Sequence, residues 1–299
     1  MPSPKNFGLI GAAGYVAPRH MKAINDTGNR LVAAMDPNDS VGIIDSYAPD
    51  ASFFTEFERF DRHAEKLRRM GDEHRLHYVS ICSPNYLHDA HCRFALRIGA
   101  DAICEKPLVL NPWNVDALQE LEQETGQRIW NVLQLRLHPA VIALKKQIDS
   151  EPEGRRHQVE LTYITPRGKW YDVSWKGDPA KSGGVATNIG IHFFDMLMWV
   201  FGGVQHSTVI HNKPRSMKGE FQLEKADVTW HLSVDASELP EGVDGPSHRS
   251  LKLDSEPFDF SKGFTDLHTE AYRNVLVSNG FGLDEARTSI SLVERLRQS

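Results

Sequence analysis

The sequence predicts an α/β fold in two parts. One is an N-terminal Rossmann-type domain with a doubly wound parallel sheet. The other is a C-terminal α/β domain on a large, mostly antiparallel open sheet. Three observations predict it. Through residues 1–131, short apolar runs alternate with amphipathic helical patterns, the signature of parallel strands joined by right-handed crossovers. The first apolar run ends in glycines that open a helix. Beyond residue 132 the pattern changes to β-branched and aromatic residues in period-two alternation, as in a sheet covered on one face. The expected domains are therefore 1–131 and 132–299.

The elements follow in order. "FGLIG" is the first strand and "PRHMKAINDTG" the body of the first helix. "LVAAMD" is a second strand ending in an acid, and "ASFF" a short third. "FERFDRHAEKLRRMG" is a helix stopped by Gly71, "HYVSICS" a strand, and "LHDAHCRFALRIG" a helix stopped by Gly99. "DAICEK" is the fifth strand. The next helix has Asn111 as N-cap, Pro112 in its first turn and Gly126 beyond its end. "RIWNVLQLR" is the sixth strand. In the second half, "HQVELTYITPRGKWYDVSW", "EFQL", "DVTWHLSVD" and "LKLDSEPFDF" are strand candidates. Helices are expected from about Gly190 through "FFDMLMWVFG" and around "DEARTSISLVERLR".

Bulk properties narrow the function. A formal net charge of -6 with scattered basic residues argues against a nucleic-acid partner. The densest basic cluster, "KLRRM", sits on a helix beside Asp61 and Glu65 and reads as a solvated face. Cys82, Cys92 and Cys104 form no CxxC pair, and Cys82 and Cys104 sit in apolar runs, so a reducing, cytoplasmic setting is expected. No membrane segment is expected, since "FFDMLMWVFGG" is short and carries Asp195.

Four motifs carry chemistry. "GLIGAAGYVAPRH" places Gly11, Ala13, Gly14, Tyr15 and Val16 between a strand and a helix, where a dinucleotide pyrophosphate needs a tight turn and close backbone approach. Ala13 and Val16 replace the second and third glycines of the usual pattern, so the turn also fits an ordinary strand–helix connection. Asp36, ending the second strand, supports the cofactor reading: a carboxylate there binds ribose hydroxyls and disfavours a 2'-phosphate, which favours NAD over NADP. It also suits the turn before Pro37. "SPNYLHDAH" brings Ser83, Asn85, Leu87 and His88 to the same sheet edge, either lining a cofactor cleft or capping a helix. "EKP" brings Glu105 and Lys106 to that edge, with Pro107 restricting the lysine backbone.

In the second half, "SGGVATNIGIHFFDML" holds Asn188 and His192, four residues apart and on one face if helical. A histidine there can accept a hydroxyl proton. Asp195 follows at helical spacing, but no further ligands are near it, so no metal is expected. "RGKWYDVSWKG" interleaves Trp170, Tyr171 and Trp175 with Arg167, Lys169 and Lys176. It reads as an exposed hairpin or as a site for an anionic ligand carrying a planar ring.

With "SICSPNYLH", "CEKPLVLN", "GGVATNIGIHFFD" and "AYRNVLVSNGFGLDEAR" in order, the chain resembles the Gfo/Idh/MocA family of sugar oxidoreductases over nearly its whole length. "GAAGYVAPRHMKAI", "NDSVGIIDSYAPDASFFTEFERF" and "RGKWYDVSWKG" are similar to its UDP-N-acetylglucosaminuronate 3-dehydrogenase branch. The resemblance implies NAD as cofactor, Lys106 and His192 as catalytic residues, and the substrate bound by Lys106, Arg167, Trp170, Tyr171, Trp175, Lys176, Asn188 and His192. It implies a 3-keto product on the way to a 2,3-diacetamido uronic acid of surface polysaccharide (O-antigen and lipopolysaccharide). Re-oxidation of NADH by 2-oxoglutarate and a homo-oligomer, dimer or tetramer, are further implications. Two departures stand out. The glycine turn is one residue longer than usual, and Asn188 stands where many relatives carry aspartate, leaving His192 as the candidate base. The alternatives are another sugar or inositol dehydrogenase of the family and a non-catalytic dinucleotide-binding regulator.

Overall fold

A computed structural model describes residues 3–243, 245–260 and 266–299; residues 1–2, 244 and 261–265, including the first two of the N-terminal stretch, lie outside the described set. The chain divides into two compact units, residues 1–134 with 265–286, and residues 135–264 with 287–299. The first boundary falls three residues beyond the expected one, and a C-terminal stretch returns to the first unit.

The first unit alternates β1 (Asn6–Ile10), α1 (Ala17–Asp26), β2 (Arg30–Met35), β3 (Ser52–Phe54), α2 (Phe57–Arg69), β4 (Tyr78–Ile81), α3 (His88–Arg97), β5 (Asp101–Cys104), α4 (Pro112–Thr125) and β6 (Ile129–Asn131). The second contains α5 (Pro139–Ser150), β7 (His157–Ile164), α6 (Trp170–Val173), α7 (Pro179–Ser182), α8 (Ile191–Phe201), β8 (Val204–Lys213), β9 (Ser216–Leu223), β10 (Ala226–Ser233), β11 (His248–Leu253) and β12 (Glu256–Pro257). The chain ends with α9 (Leu267–Leu276), in the first unit, and α10 (Leu283–Gln298).

In the first unit all strands pair in parallel, in the order β3-β2-β1-β4-β5-β6. β1 is buried along its whole length, as a strand covered by helices on both faces must be. α1 begins with Pro18 in its first turn and turns Ala17, Met21, Ala23 and Ile24 inward. α4 starts after Asn111 and ends at Gly126, whose φ of 71° closes the helix in the left-handed region. The order reverses between β1 and β4, and the crevice beyond the carboxyl ends of strands at such a switch point is where ligands bind.

The second sheet runs β12-β11-β7-β10-β9-β8, with one parallel pair, β7 and β10, and antiparallel neighbours elsewhere. Alternate residues of β9 are buried. α8 packs on that face: the Phe194 ring lies 4.9 Å from Phe221 and 5.2 Å from Trp230. Gly190 permits the close approach, since a Cβ there would lie 2.4 Å from a Leu232 methyl. Residues 179–201 are apolar and long enough to cross a bilayer, yet they are mostly buried in the protein, and Asp195 within them is ion-paired. This stretch, which includes α7 and α8, is interior to the second unit.

Three expectations change. The sixth strand ends at Asn131, and a 3-10 turn, Gln134–Leu137, replaces its tail. The strand or hairpin expected through "RGKWYDVSWKG" is instead a loop around α6: Gly177 lies so close to the Tyr171 carbonyl that a Cβ would sit 2.5 Å from its oxygen. Finally, α5, β8 and α9 are elements the sequence pattern does not predict. β8 is an edge strand with most residues exposed or half-buried, so it carries no apolar alternation.

Candidate functional site

The glycine turn is built around the β1–β4 divergence. Gly11 has φ 91° and lies so near the end of β4 that a Cβ would fall 2.6 Å from the Cys82 carbonyl carbon and oxygen and 2.7 Å from the Ser83 nitrogen. Backbone cannot yield as a side chain can, so only glycine fits. The Gly11 and Ala12 N–H groups donate to the Met35 carbonyl at 2.8 and 3.2 Å. Asp36 secures the turn: its Oδ2 accepts the Ala13 N–H and its Oδ1 the Asn38 N–H, each at 2.9 Å. Each carboxylate oxygen has a second lone pair, so turn support and ribose binding are compatible. Tyr15 is 86% exposed, with the Arg19 guanidinium 5.6 Å from its ring centre, and Val16 precedes α1 as its N-cap.

At the end of β4, Ser83 and Asn85 are buried and Leu87 is half-buried. His88 is buried, with Nε2 2.8 Å from the Ser83 carbonyl and Nδ1 2.7 Å from the Pro107 carbonyl. A neutral imidazole has one N–H for those two acceptors. Burial is the larger influence and lowers the His88 pKa; the two carbonyls oppose it. His88 thereby ties the β4 loop to the turn after β5.

That turn contains a cis Lys106–Pro107 peptide bond. The Asn131 amide donates to the Cys104 and Glu105 carbonyls at 3.0 and 3.3 Å. Lys106 is half-buried, and its backbone N–H donates to Glu105 Oε2 at 3.2 Å. Glu105 itself is buried, with Oε1 3.1 Å from His20 Nε2 and 2.9 Å from His268 Nε2. Burial alone would raise its pKa, but the His20 and His268 hydrogen bonds hold the carboxyl well below the usual range.

In the second unit, Asn188 lies in a π-helical turn, Ala186–Gly190, which runs directly into α8. Such turns are rare and frequently lie at functional sites. His192 is half-buried in the first turn of α8, its ring 4.1 Å from Phe193 and 6.3 Å from Tyr163. Asp195, one turn on, receives Arg136 in a bidentate pair at 2.7 and 2.9 Å, both side chains buried.

The basic-aromatic segment is packed on itself. Lys176 Nζ lies 5.5 Å from the Trp170 ring centre and 5.6 Å from that of Trp175. Burial, and then Arg167, lower the Lys176 pKa. Tyr171 is 2% exposed, its ring under the Arg215 guanidinium at 5.6 Å, and its hydroxyl hydrogen-bonds Asn188. This corrects the expectation of a stacking surface at Tyr171: it braces the Asn188 turn, while Trp170 and Trp175 keep rings toward Lys176.

Sequence reasoning did not find His20, His268, Tyr272, Ser80 or Arg136. The partners of Glu105 lie 85 and 163 residues from it. A local signal existed only for His20, a polar residue on the apolar face of α1.

Buried histidines set an acid limit on stability. Burial holds His91 to about 4 and also lowers His20 and His88. These depressed values stabilise the fold above the unfolded histidine pKa, and that stabilisation is lost progressively as pH falls from the unfolded value to and through the folded ones. Between pH 7 and 5 His91 alone is expected to cost about 2 kcal/mol. Chemical denaturation at the two pH values should show that slope, and His91→Gln should reduce it.

Residues 5–132 match the Gfo/Idh/MocA oxidoreductase family, NAD-binding Rossmann fold, and residues 145–234 match its C-terminal alpha/beta domain. The WlbA (WbpB) dehydrogenase from Thermus thermophilus, solved with NAD and alpha-ketoglutarate, is 51% identical, with a TM-score of 0.93 over 98% of this chain and 94% of that one. The same enzyme with NAD and UDP-GlcNAcA matches at 50% identity, with the same TM-score and coverage. The inositol 2-dehydrogenase of Rhizobium meliloti is 30% identical over 66% of this chain, and the match spans 54% of that relative's length. The chain belongs to the Gfo/Idh/MocA family of oxidoreductases.

Proposed function

We propose that this protein is an NAD-dependent dehydrogenase that oxidises the C3 hydroxyl of UDP-N-acetylglucosaminuronate to the 3-keto sugar. The observation that carries this reading is 50% identity, over 98% of the chain, to a dehydrogenase solved with NAD and UDP-GlcNAcA.

The first unit fits the dinucleotide. Gly11 leaves a cradle that a Cβ would fill, and Asp36 stands at the end of β2, where its charge repels a 2'-phosphate. Gly14, Tyr15, Val16, Ser83, Asn85 and Leu87 line that edge. Bound NAD supplies the acceptor for the C3 hydride. Lys106 holds the C3 oxygen and stabilises the negative charge that develops there. His192 accepts the hydroxyl proton. Arg167 and Lys176 meet the uronate and diphosphate charges, with Trp170 and Trp175 beside them.

The proposal extends to re-oxidation of NADH by 2-oxoglutarate, supported by the relative solved with NAD and alpha-ketoglutarate. It includes a cytoplasmic homo-oligomer, dimer or tetramer, assembled through the second sheet, where Ile210 is 64% exposed on edge strand β8. The keto product would feed synthesis of a 2,3-diacetamido uronic acid of lipopolysaccharide.

The test is turnover of purified protein with UDP-sugars. UDP-N-acetylglucosaminuronate should be oxidised with kcat/KM at least about tenfold above UDP-N-acetylglucosamine, 1.4 kcal/mol of discrimination. Added 2-oxoglutarate should yield one 2-hydroxyglutarate per keto sugar. Equal kcat/KM for the two sugars would show that the carboxylate is not read. Turnover of inositol alone would move the reading to the activity named for the Rhizobium relative.

A further inference from the structure

His20, His268, Tyr272 and Ser80 have no part in the function proposed above, yet they form one buried chain ending on Glu105. His20 comes from α1, Ser80 from β4, and His268 and Tyr272 from α9. Both Nε2 atoms lie against the same carboxylate oxygen, at 3.1 and 2.9 Å. His20 Nδ1 lies 2.8 Å from the Tyr272 hydroxyl, which lies 2.5 Å from Ser80 Oγ.

The donor directions follow from chemistry. An ionised carboxylate only accepts, so both imidazoles donate through Nε2. Neutral His20 must then accept at Nδ1, so the Tyr272 hydroxyl donates to it. The tyrosine oxygen in turn accepts from Ser80. Every donor points toward Glu105, and neither imidazole needs a second proton. Burial, which lowers the His20 pKa, favours this neutral form. The other oxygen of Glu105 accepts the Lys106 backbone N–H at 3.2 Å.

We propose that His268 and His20 are positioning residues for Lys106: they pin the Glu105 carboxylate from α9 and α1, and that carboxylate fixes the lysine's backbone at the end of β5. This rests on the role proposed above for Lys106. It gives α9 a function in a reaction whose groups it does not touch. The titratable groups facing the cluster are Arg19 on α1, Cys82 after β4, His88 on α3, Cys104 on β5, Lys106 beside Glu105 and Tyr272 on α9.

The experiment uses the full-length protein and three readouts: kcat against pH, NAD affinity, and the tautomers of nitrogen-15-labelled histidine. His268→Leu should lower kcat about tenfold or more, as small misplacements of reacting groups do, while NAD affinity stays within about twofold. It should also add an acidic limb to kcat, because Glu105 has lost a donor and protonates as pH falls. His268→Gln, with an amide N–H for the same oxygen, should restore most of kcat and remove the limb. Should His268→Leu not fold, the wild-type spectrum decides: His20 and His268 must both carry their proton on Nε2. A His268→Leu enzyme with wild-type kcat and pH profile overturns the proposal. So does an Nδ1–H tautomer at either residue, or a stoichiometric divalent metal in the purified wild type. Wild-type protein inert toward UDP-sugars would refute the function instead, and the tautomer measurement, which needs no substrate, still decides the cluster.

Discussion

Lys106→Met is expected to lower kcat by about 100-fold or more, because an electrostatic contact to an oxygen gaining negative charge is worth that much in a reaction step. NAD affinity should change little, since the ammonium is assigned to the sugar oxygen. A residue that merely ended β5 near solvent would behave differently: its loss would leave turnover nearly intact, as exposed charges contribute little. Steady-state kinetics with a parallel NAD titration separate the two. His192→Asn should also lower kcat, by about 100-fold or more for a lost general base, and it should erase the acidic limb of the kcat profile. Retention of that limb in His192→Asn would assign the proton to another group. A Lys106→Met enzyme with unchanged kcat would return the "EKP" lysine to a structural role.

Asp195→Asn is expected to destabilise the second unit by about 3–5 kcal/mol, the usual result of leaving one member of a buried ion pair without its counter-charge. Arg136 and Asp195 are 9% and 2% exposed in their side chains and meet through two hydrogen bonds. The guanidinium cannot shed its charge, and the substitution removes the carboxylate that pairs with it. Replacing both, as Arg136→Met with Asp195→Leu, should recover most of the loss, because the desolvation penalty disappears with the pair. Denaturant unfolding of the three variants checks this. Additive losses in the double variant would mean that packing rather than charge holds the two side chains. Because Asp195 sits one turn from His192 on α8, the single variant should also lower kcat where the double lowers it less.

The parallel sheet was legible because its strands are short apolar runs punctuated by Gly71, Gly99 and Gly126, each in the left-handed region. The strand ends assigned to the cofactor were legible for a similar reason: Gly11 and Asp36 directly follow β1 and β2, and Lys106 lies two residues beyond β5. What was not legible lay between distant positions. His268 lies in "LHTEAYRNVL", and nothing near it in sequence names Glu105 as its partner. Tyr171 misled for the opposite reason. Its aromatic and basic neighbours suggested an open surface, but the ring is covered by Arg215 from a loop more than forty residues away in sequence. The edge strand β8 was hidden by its many polar residues, and all of its residues are exposed or half-buried.

The return of residues 265–286 to the first unit has a consequence for how the chain is made. Phe7 stacks on Tyr272 at 5.8 Å, and Gly280 lies so near the Trp130 ring that a Cβ would sit 2.7 Å from it. Synthesis proceeds from the N-terminus at about 5–20 residues per second. All six parallel strands therefore leave the ribosome well before the helix that closes their core, with residues 135–264 of the second unit made in between. During those seconds the nascent half-protein presents Phe7 and Trp130 to whatever binds apolar surface, so its window for holdase capture is fixed by gene order. A gene cut at the unit boundary would make that window permanent.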